Sequence, residues 1–167
     1  NVISIFSNAY TNITGVDYNP NWGQATVTTI IDVAGNTTLK YAGLNYQGTD
    51  FSGNAQNVSG MQFLHIDYWT ANSSALNASI ISSGPVEKAK ALTVPTNGTW
   101  KSIDIPLADF SPPVNLANII QLKFDGNGDI YLDNIYFYKT GPAATAPTSA
   151  APAPPARDAG NVISIFS

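Results

Sequence analysis

Apolar residues in this chain come in short runs closed by Gly, Asn, Pro or Ser, and no run holds a 3.6-residue period long enough for a helix. Runs of this length, rich in Val, Ile, Thr and aromatic residues, pair as strands, whereas a helix needs ten or more residues with one apolar stripe. Nine strands are expected, at 2–6, 25–33, 38–46, 62–70, 76–82, 88–94, 101–106, 119–125 and 129–138. At this spacing they fill two packed antiparallel sheets, so the expected fold is an all-β sandwich. The turn chemistry points the same way. Asn127-Gly128, between apolar runs at 122–124 and 130–132, carries the signal of a type I′ hairpin closed by two residues at positive φ, and Asn97-Gly98 before Trp100 reads similarly.

The strand pattern stops near residue 139. Residues 140–160 are rich in Pro, Ala and Thr without apolar period, which favours extended polyproline geometry. At roughly 3 Å per residue this semi-rigid spacer reaches on the order of 60 Å. Thr145, Thr148 and Ser149 beside Pro are candidate O-glycan sites, with a plain linker as the equal alternative. Beyond the spacer, Asn161-Val162-Ile163-Ser164-Ile165-Phe166-Ser167 repeats Asn1-Val2-Ile3-Ser4-Ile5-Phe6-Ser7 letter for letter. Identity at a fixed offset is the mark of a repeated unit. The expected organisation is a sandwich module at 1–139, an extended linker at 140–160, and at 161–167 the first strand of a following repeat. Val162, Ile163, Ile165 and Phe166 are its inter-unit apolar residues.

Composition narrows the function classes. Charged residues are only 11% while Thr, Ser, Asn, Gly and Tyr abound, the profile of an extracellular β protein. A net charge of -4 with no cluster of Lys or Arg argues against nucleic acid and acidic lipid surfaces, because neutralising phosphates takes grouped cations. With no Cys, neither a disulfide framework nor a thiolate metal site is available. No apolar stretch approaches the ~20 residues of a membrane span, so membrane insertion is not expected. The opening has no signal-peptide pattern and no Met, which reads as a mature or excised segment.

Gln121-Leu122-Lys123-Phe124-Asp125-Gly126, then Ile130-Tyr131-Leu132-Asp133-Asn134-Ile135-Tyr136-Phe137-Tyr138, together with Phe63-Leu64-His65-Ile66-Asp67-Tyr68-Trp69, resembles the jelly-roll β-sandwich carbohydrate-binding modules of secreted bacterial polysaccharide-degrading enzymes. The resemblance covers most of residues 2–138. It implies a non-catalytic domain that binds glycan on a concave sheet face or along its loops. It also implies a structural calcium ion, with Asp133 among its ligands.

Sugar recognition needs flat aromatic faces against the apolar faces of pyranose rings, flanked by polar groups for the hydroxyls. Period two places Phe63, His65, Asp67 and Trp69 on one sheet face and Leu64, Ile66 and Tyr68 on the other. The candidate carbohydrate-binding residues are His65, Asp67 and Trp69, with Trp22 and Tyr46 bordering them. For each aromatic the alternative is a core position, and Trp100 is expected in the core. His65, the one imidazole, has neither a zinc partner nor Ser-His-Asp spacing, and no carboxylate pair is marked out for glycoside hydrolysis. No catalytic residue is assigned and no enzyme is expected. Asp125, Asn127 and Asp129 alternate oxygen ligands as calcium loops do, although the Gly and terminal Glu of an EF-hand loop are missing and a simple turn explains the Asn-Gly equally. Asn12, Asn36, Asn57, Asn72, Asn77 and Asn97 each head an N-x-[ST] sequon.

Two functions remain open. In the first, the chain is the structural repeat of a secreted, glycosylated extracellular fibre or adhesin. Its units join head to tail by passing the terminal strand to the next sandwich, so the partners are neighbouring copies. Burial of the strand's Val, two Ile and Phe would supply a gross ~6–12 kcal/mol per junction. In the second, the chain is a polysaccharide-binding module repeated in a secreted multi-module enzyme, gaining avidity through its tether. The identical ends, the low charge and the sequons favour the first, which is the expected function; the family likeness favours the second, which is the alternative.

Overall fold

The computed structural model describes residues 1–95, 98–141, 149–153, 155–158, 160 and 165. Of the expected linker, residues 142–148, 154 and 159 fall outside them, as do Val162, Ile163 and Phe166 of the inter-unit strand, while Ile165 is exposed. The described residues contain ten strands: β1 (Val2–Phe6), β2 (Val27–Val33), β3 (Asn36–Ala42), β4 (Tyr46–Asp50), β5 (Phe63–Trp69), β6 (Leu76–Ser82), β7 (Val86–Leu92), β8 (Lys101–Pro106), β9 (Ile119–Gly126) and β10 (Ile130–Tyr138). They form two antiparallel sheets, as the runs of apolar residues predict. One has the order β2-β3-β10-β5-β8 with β1 also on β10; the other runs β4-β9-β6-β7.

Between the layers lie Leu39, Tyr41, Leu64, Ile66, Tyr68, Leu132 and Phe137 from the six-stranded sheet and Ala78, Ile80, Leu122 and Phe124 from the other, all buried. Phe51, Phe110 and Val114, from the connections after β4 and β8, complete this core. Strict alternation along β5, with Leu64, Ile66 and Tyr68 inward, follows from the pleat.

β10 is the organising strand. β3 pairs with its first part, Ile130 to Leu132, and β1 takes the same side further on, with Val2 opposite Tyr138, Ile3 opposite Phe137 and Phe6 opposite Ile135. The first strand thus belongs to the sandwich of its own chain. Ile5 and Phe6 enter the core, Phe6 meets Tyr18 edge-on at 5.3 Å, and the Tyr18 hydroxyl donates to the Ile5 carbonyl at 2.7 Å.

The structure corrects the sequence reading in two places. The strand expected at 38–46 ends at Ala42, ahead of Gly43 at φ 59°, and a strand that was not expected, β4, follows from Tyr46 in the other sheet. Asn127-Gly128 is not a hairpin turn, because β9 and β10 lie in different sheets and Asn127 is not at positive φ. Those residues carry the chain from one layer to the other. The Asn127 side chain accepts from Ser74 N at 2.8 Å and donates to Ser74 Oγ at 2.8 Å, tying the crossing to the loop ahead of β6.

Candidate functional site

The outer face of the six-stranded sheet gathers the polar and aromatic residues that the core does not use. From β5 it takes Phe63, His65, Asp67 and Trp69, each half-buried. Register sets their neighbours: on β10, Tyr131 stands opposite Trp69, Asp133 opposite Asp67, Tyr136 opposite His65 and Tyr138 opposite Phe63. On β8, Ser102, Asp104 and Pro106 stand opposite Asp67, His65 and Phe63. The β10 series would change faces midway without the bulge between Asp133 and Tyr136. Asn134 supplies it at φ 49°, a conformation Asn tolerates better than most residues. Its side chain then donates to Asp67 Oδ2 at 2.8 Å and accepts from Ser7 Oγ at 2.7 Å.

At the centre His65 lies flat on Tyr136, ring centroids 4.6 Å apart and planes 14° from parallel. Its Nδ1 is 2.7 Å from Asp104 Oδ1 and its Nε2 3.2 Å from Asp67 Oδ1. The bond to Asp67 leads in raising the His65 pKa, Asp104 adds to it, and burial opposes both. Burial pushes the Asp67 carboxyl up, but donation from His65, Ser102 and Asn134 outweighs it and leaves the group below its ordinary range. The Tyr136 hydroxyl is pushed up to about 12, first by burial and then by the neighbouring Tyr10 and the carboxylates of Asp104 and Asp67.

Beside this cluster is a cleft of about 240 Å³ floored by Asp67, Ser102, Asp133 and Asn134 and bounded by Asn36, Thr38, Val33 and Trp100. A second, of about 220 Å³, lies between Val33, Trp69, Trp100 and Tyr131. Val33 is on β2 and Trp100 just ahead of β8, at opposite margins by strand order, yet they line the same clefts. The sheet is therefore curled, and its outer face is concave. Trp100, expected in the core, is 46% exposed and stands on this face. Trp69 meets Tyr131 edge-on at 5.2 Å, and Lys40 sits 5.1 Å over the Tyr131 ring.

His65, Asp67 and Trp69 are thus brought together as period two implies. Trp22 and Tyr46 are not with them. Tyr46 is on β4 of the four-stranded sheet, its hydroxyl donating to the Trp22 carbonyl at 2.8 Å, and the Trp22 ring covers Gly48 so closely that a Cβ there would stand 2.2 Å from it. The pair belongs to the other layer because the chain changes sheets between β3 and β4. Tyr10, Tyr131, Tyr136, Tyr138, Asp104 and Ser102 join the face without being among the sequence candidates; the Tyr136-Phe137-Tyr138 alternation is the signal that marks the last part of β10.

The carboxylates suggested for metal do not converge. Asp125 accepts from Asn77 Nδ2 at 2.7 Å, Asp129 from Gly43 N at 2.9 Å, and Asp133 from Asn36 Nδ2 at 2.5 Å and Asn134 N at 2.7 Å. Among the described residues no group of three or more His, Cys, Asp or Glu stands close enough to hold a metal ion. The sequons also divide. Asn12, Asn36 and Asn77 donate their amide groups to Ser7 O, Asp133 and Asp125, whereas Asn57 and Asn72 are exposed and accept through their side-chain oxygens. Asn97 lies outside the described residues. No described helix is long and apolar enough to cross a membrane.

No protein-family model and no curated protein sequence matches this chain. Solved structures do. The family 11 carbohydrate-binding module of the cellulosomal cellulase Lic26A-Cel5E of Clostridium thermocellum is 20% identical with a TM-score of 0.57, the match covering 84% of this chain and 95% of that one. A non-crystalline cellulose specific carbohydrate-binding module, CBM28, is 14% identical with a TM-score of 0.55, covering 81% and 94%. A family 29 carbohydrate-binding module variant complexed with mannohexaose is 14% identical with a TM-score of 0.52, covering 82% and 90%. What this chain shares with them is the fold, the two-sheet antiparallel β-sandwich of carbohydrate-binding modules.

Proposed function

We propose that the chain is a secreted, non-catalytic polysaccharide-binding module that holds glycan on the concave outer face of its six-stranded sheet. The observation that carries this is the convergence of Trp69, Trp100, Tyr131 and Tyr136 with the polar Asp67, Ser102, Asp104 and His65 on one curled surface. Aromatic faces supply stacking area for pyranose rings, and the carboxylates accept from hydroxyl groups that would otherwise lose water. The same groups are poorly placed for hydrolysis. Asp67 is held ionised by donation from His65, Ser102 and Asn134, so it is not the raised general acid that glycoside cleavage uses.

Calorimetric titration against a panel of soluble neutral polysaccharides tests the reading. At least one should bind, and Trp69→Ala or Trp100→Ala should weaken it at least ~10-fold, as expected for losing a large buried aromatic contact. Absence of binding across the panel, or binding untouched by both substitutions, contradicts it. The fibre or adhesin reading rests on the recurrence of the heptad. It needs a vacant place for a donated strand, and Val2–Phe6 of the same chain already fills that place.

A further inference from the structure

We infer that β2 is a docking edge for a second copy of this chain, the two β2 strands pairing antiparallel about Ile30. The inference does not depend on glycan binding. Among the described residues β2 has a partner strand on one side, β3, and none on the other. Other sheet edges are protected in the ways that keep strands from pairing at random. β7 carries Glu87, Lys88 and Lys90, and β8 carries Lys101, Asp104 and Pro106. β4 is covered by Asp17, bonded to Asp50 at 2.8 Å, and by the Trp22 ring over Gly48. β2 has no Lys, no Pro and no bulge, and its Val27, Ile30 and Val33 are 61%, 53% and 37% exposed. Its one charge sits at the hairpin end, where Asp32 Oδ1 accepts from Gly35 N at 2.9 Å.

The hydrogen-bond phase of the strand selects a copy of itself. Ala34 at φ 54° and Gly35 at φ 84° form a type I′ turn, so Val33 and Asn36 exchange the closing bonds. Alternation then directs the backbone groups of Val27, Thr29, Ile31 and Val33 to β3 and those of Thr28, Ile30 and Asp32 to the open side. Two antiparallel copies centred on Ile30 set Ile30 against Ile30 and Thr28 against Asp32, so each outward N–H and C=O meets its counterpart. The side chains agree. Ile30 covers Ile30, and each Asp32 meets a Thr rather than a second carboxylate. Thr28 Oγ1 is screened from water without a hydrogen-bond partner, and turned toward the edge it would donate to the Asp32 carboxylate of the other copy. The two-fold axis of such a pair is perpendicular to the sheet, so both concave faces look the same way. A seven-residue contact, ~24 Å long, is small for a specific interface, and the dimer should form at roughly 10–100 μM.

Sedimentation of the full chain from ~5 to ~500 μM should show monomer passing to dimer. Over the same range, hydrogen exchange should slow at the amides of Thr28, Ile30 and Asp32, while Thr29 and Ile31 stay protected throughout. Ile30→Lys should weaken association at least ~10-fold and still melt within ~5 °C of the parent. Because the chain has no Cys, Ile30→Cys sets a lone thiol with its Cα ~5.5 Å from that of its twin and should oxidise to a dimer. Val27→Cys, opposite Val33 of the other copy, should not. A chain monomeric throughout, disulfide dimers equally abundant at both positions, or protection of Thr28, Ile30 and Asp32 that is independent of concentration, as an intramolecular strand would give, overturns the inference.

Discussion

His65 has a carboxylate oxygen at each ring nitrogen, and a neutral imidazole has one N–H to give. Both contacts are hydrogen bonds only when the ring is charged. The titratable groups facing it are Asp67 on its own strand, Asp104 on β8, and Tyr136 and Tyr138 on β10. Its folded pKa is raised, so the stability it contributes is full below about 6.5 and is lost as pH rises through the folded value. Asp67 runs the other way: its folded pKa is lowered, and its contribution is lost on acidification below about 3.8. An NMR titration should place the His65 midpoint above 6.5, and the parent's melting temperature should fall across that titration while that of His65→Phe does not; a midpoint at or below 6.5 contradicts the clamp. The sequons give a second residue-level expectation. Made in a host that glycosylates secreted proteins, the chain should carry glycan at Asn57 and Asn72 and not at Asn12, Asn36 or Asn77, whose amides are already donated to Ser7 O, Asp133 and Asp125. Site-resolved mass spectrometry decides it, and an occupied Asn36 would refute it.

At the scale of elements, legibility followed how local the determining signal is. β5 could be read because Phe63 to Trp69 alternates without interruption, which fixes both its faces. β10 could be read as a strand but not as a bent one, since the bulge at Asn134 depends on reaching Asp67 and Ser7 from distant parts of the chain. β4 was hidden for a different reason. Its inward residues are the polar Gln47 and Thr49, and its outward Gly48 is covered by Trp22, so Tyr46–Asp50 shows no apolar alternation. Asn127-Gly128 gave a sound local turn signal, yet only the sheet order tells a hairpin from a crossing. The β4 packing is testable: Gly48→Ala should displace the Trp22 indole, cost about 1–3 kcal/mol and shift tryptophan emission to the red. Glycan affinity should stay unchanged, because Trp22 is on the opposite layer; a large loss of affinity would return Trp22 to the binding face.

Across the whole molecule the two sheets divide the work. The four-stranded sheet supplies Ala78, Ile80, Leu122 and Phe124 to the core, while the six-stranded sheet gives one face to that core and turns the other, concave one outward. Which aromatic residues reach the outer face follows from how strands associate, and so Trp100, carried in by the loop ahead of β8, read as core from its sequence. Titrating the labelled chain with an oligosaccharide of a polysaccharide that it binds, and following backbone amide shifts, tests the central claim most directly. Perturbations should fall on Phe63 to Trp69, Trp100 to Asp104 and Tyr131 to Tyr138; shifts confined to β4, β9 and Trp22 would contradict it.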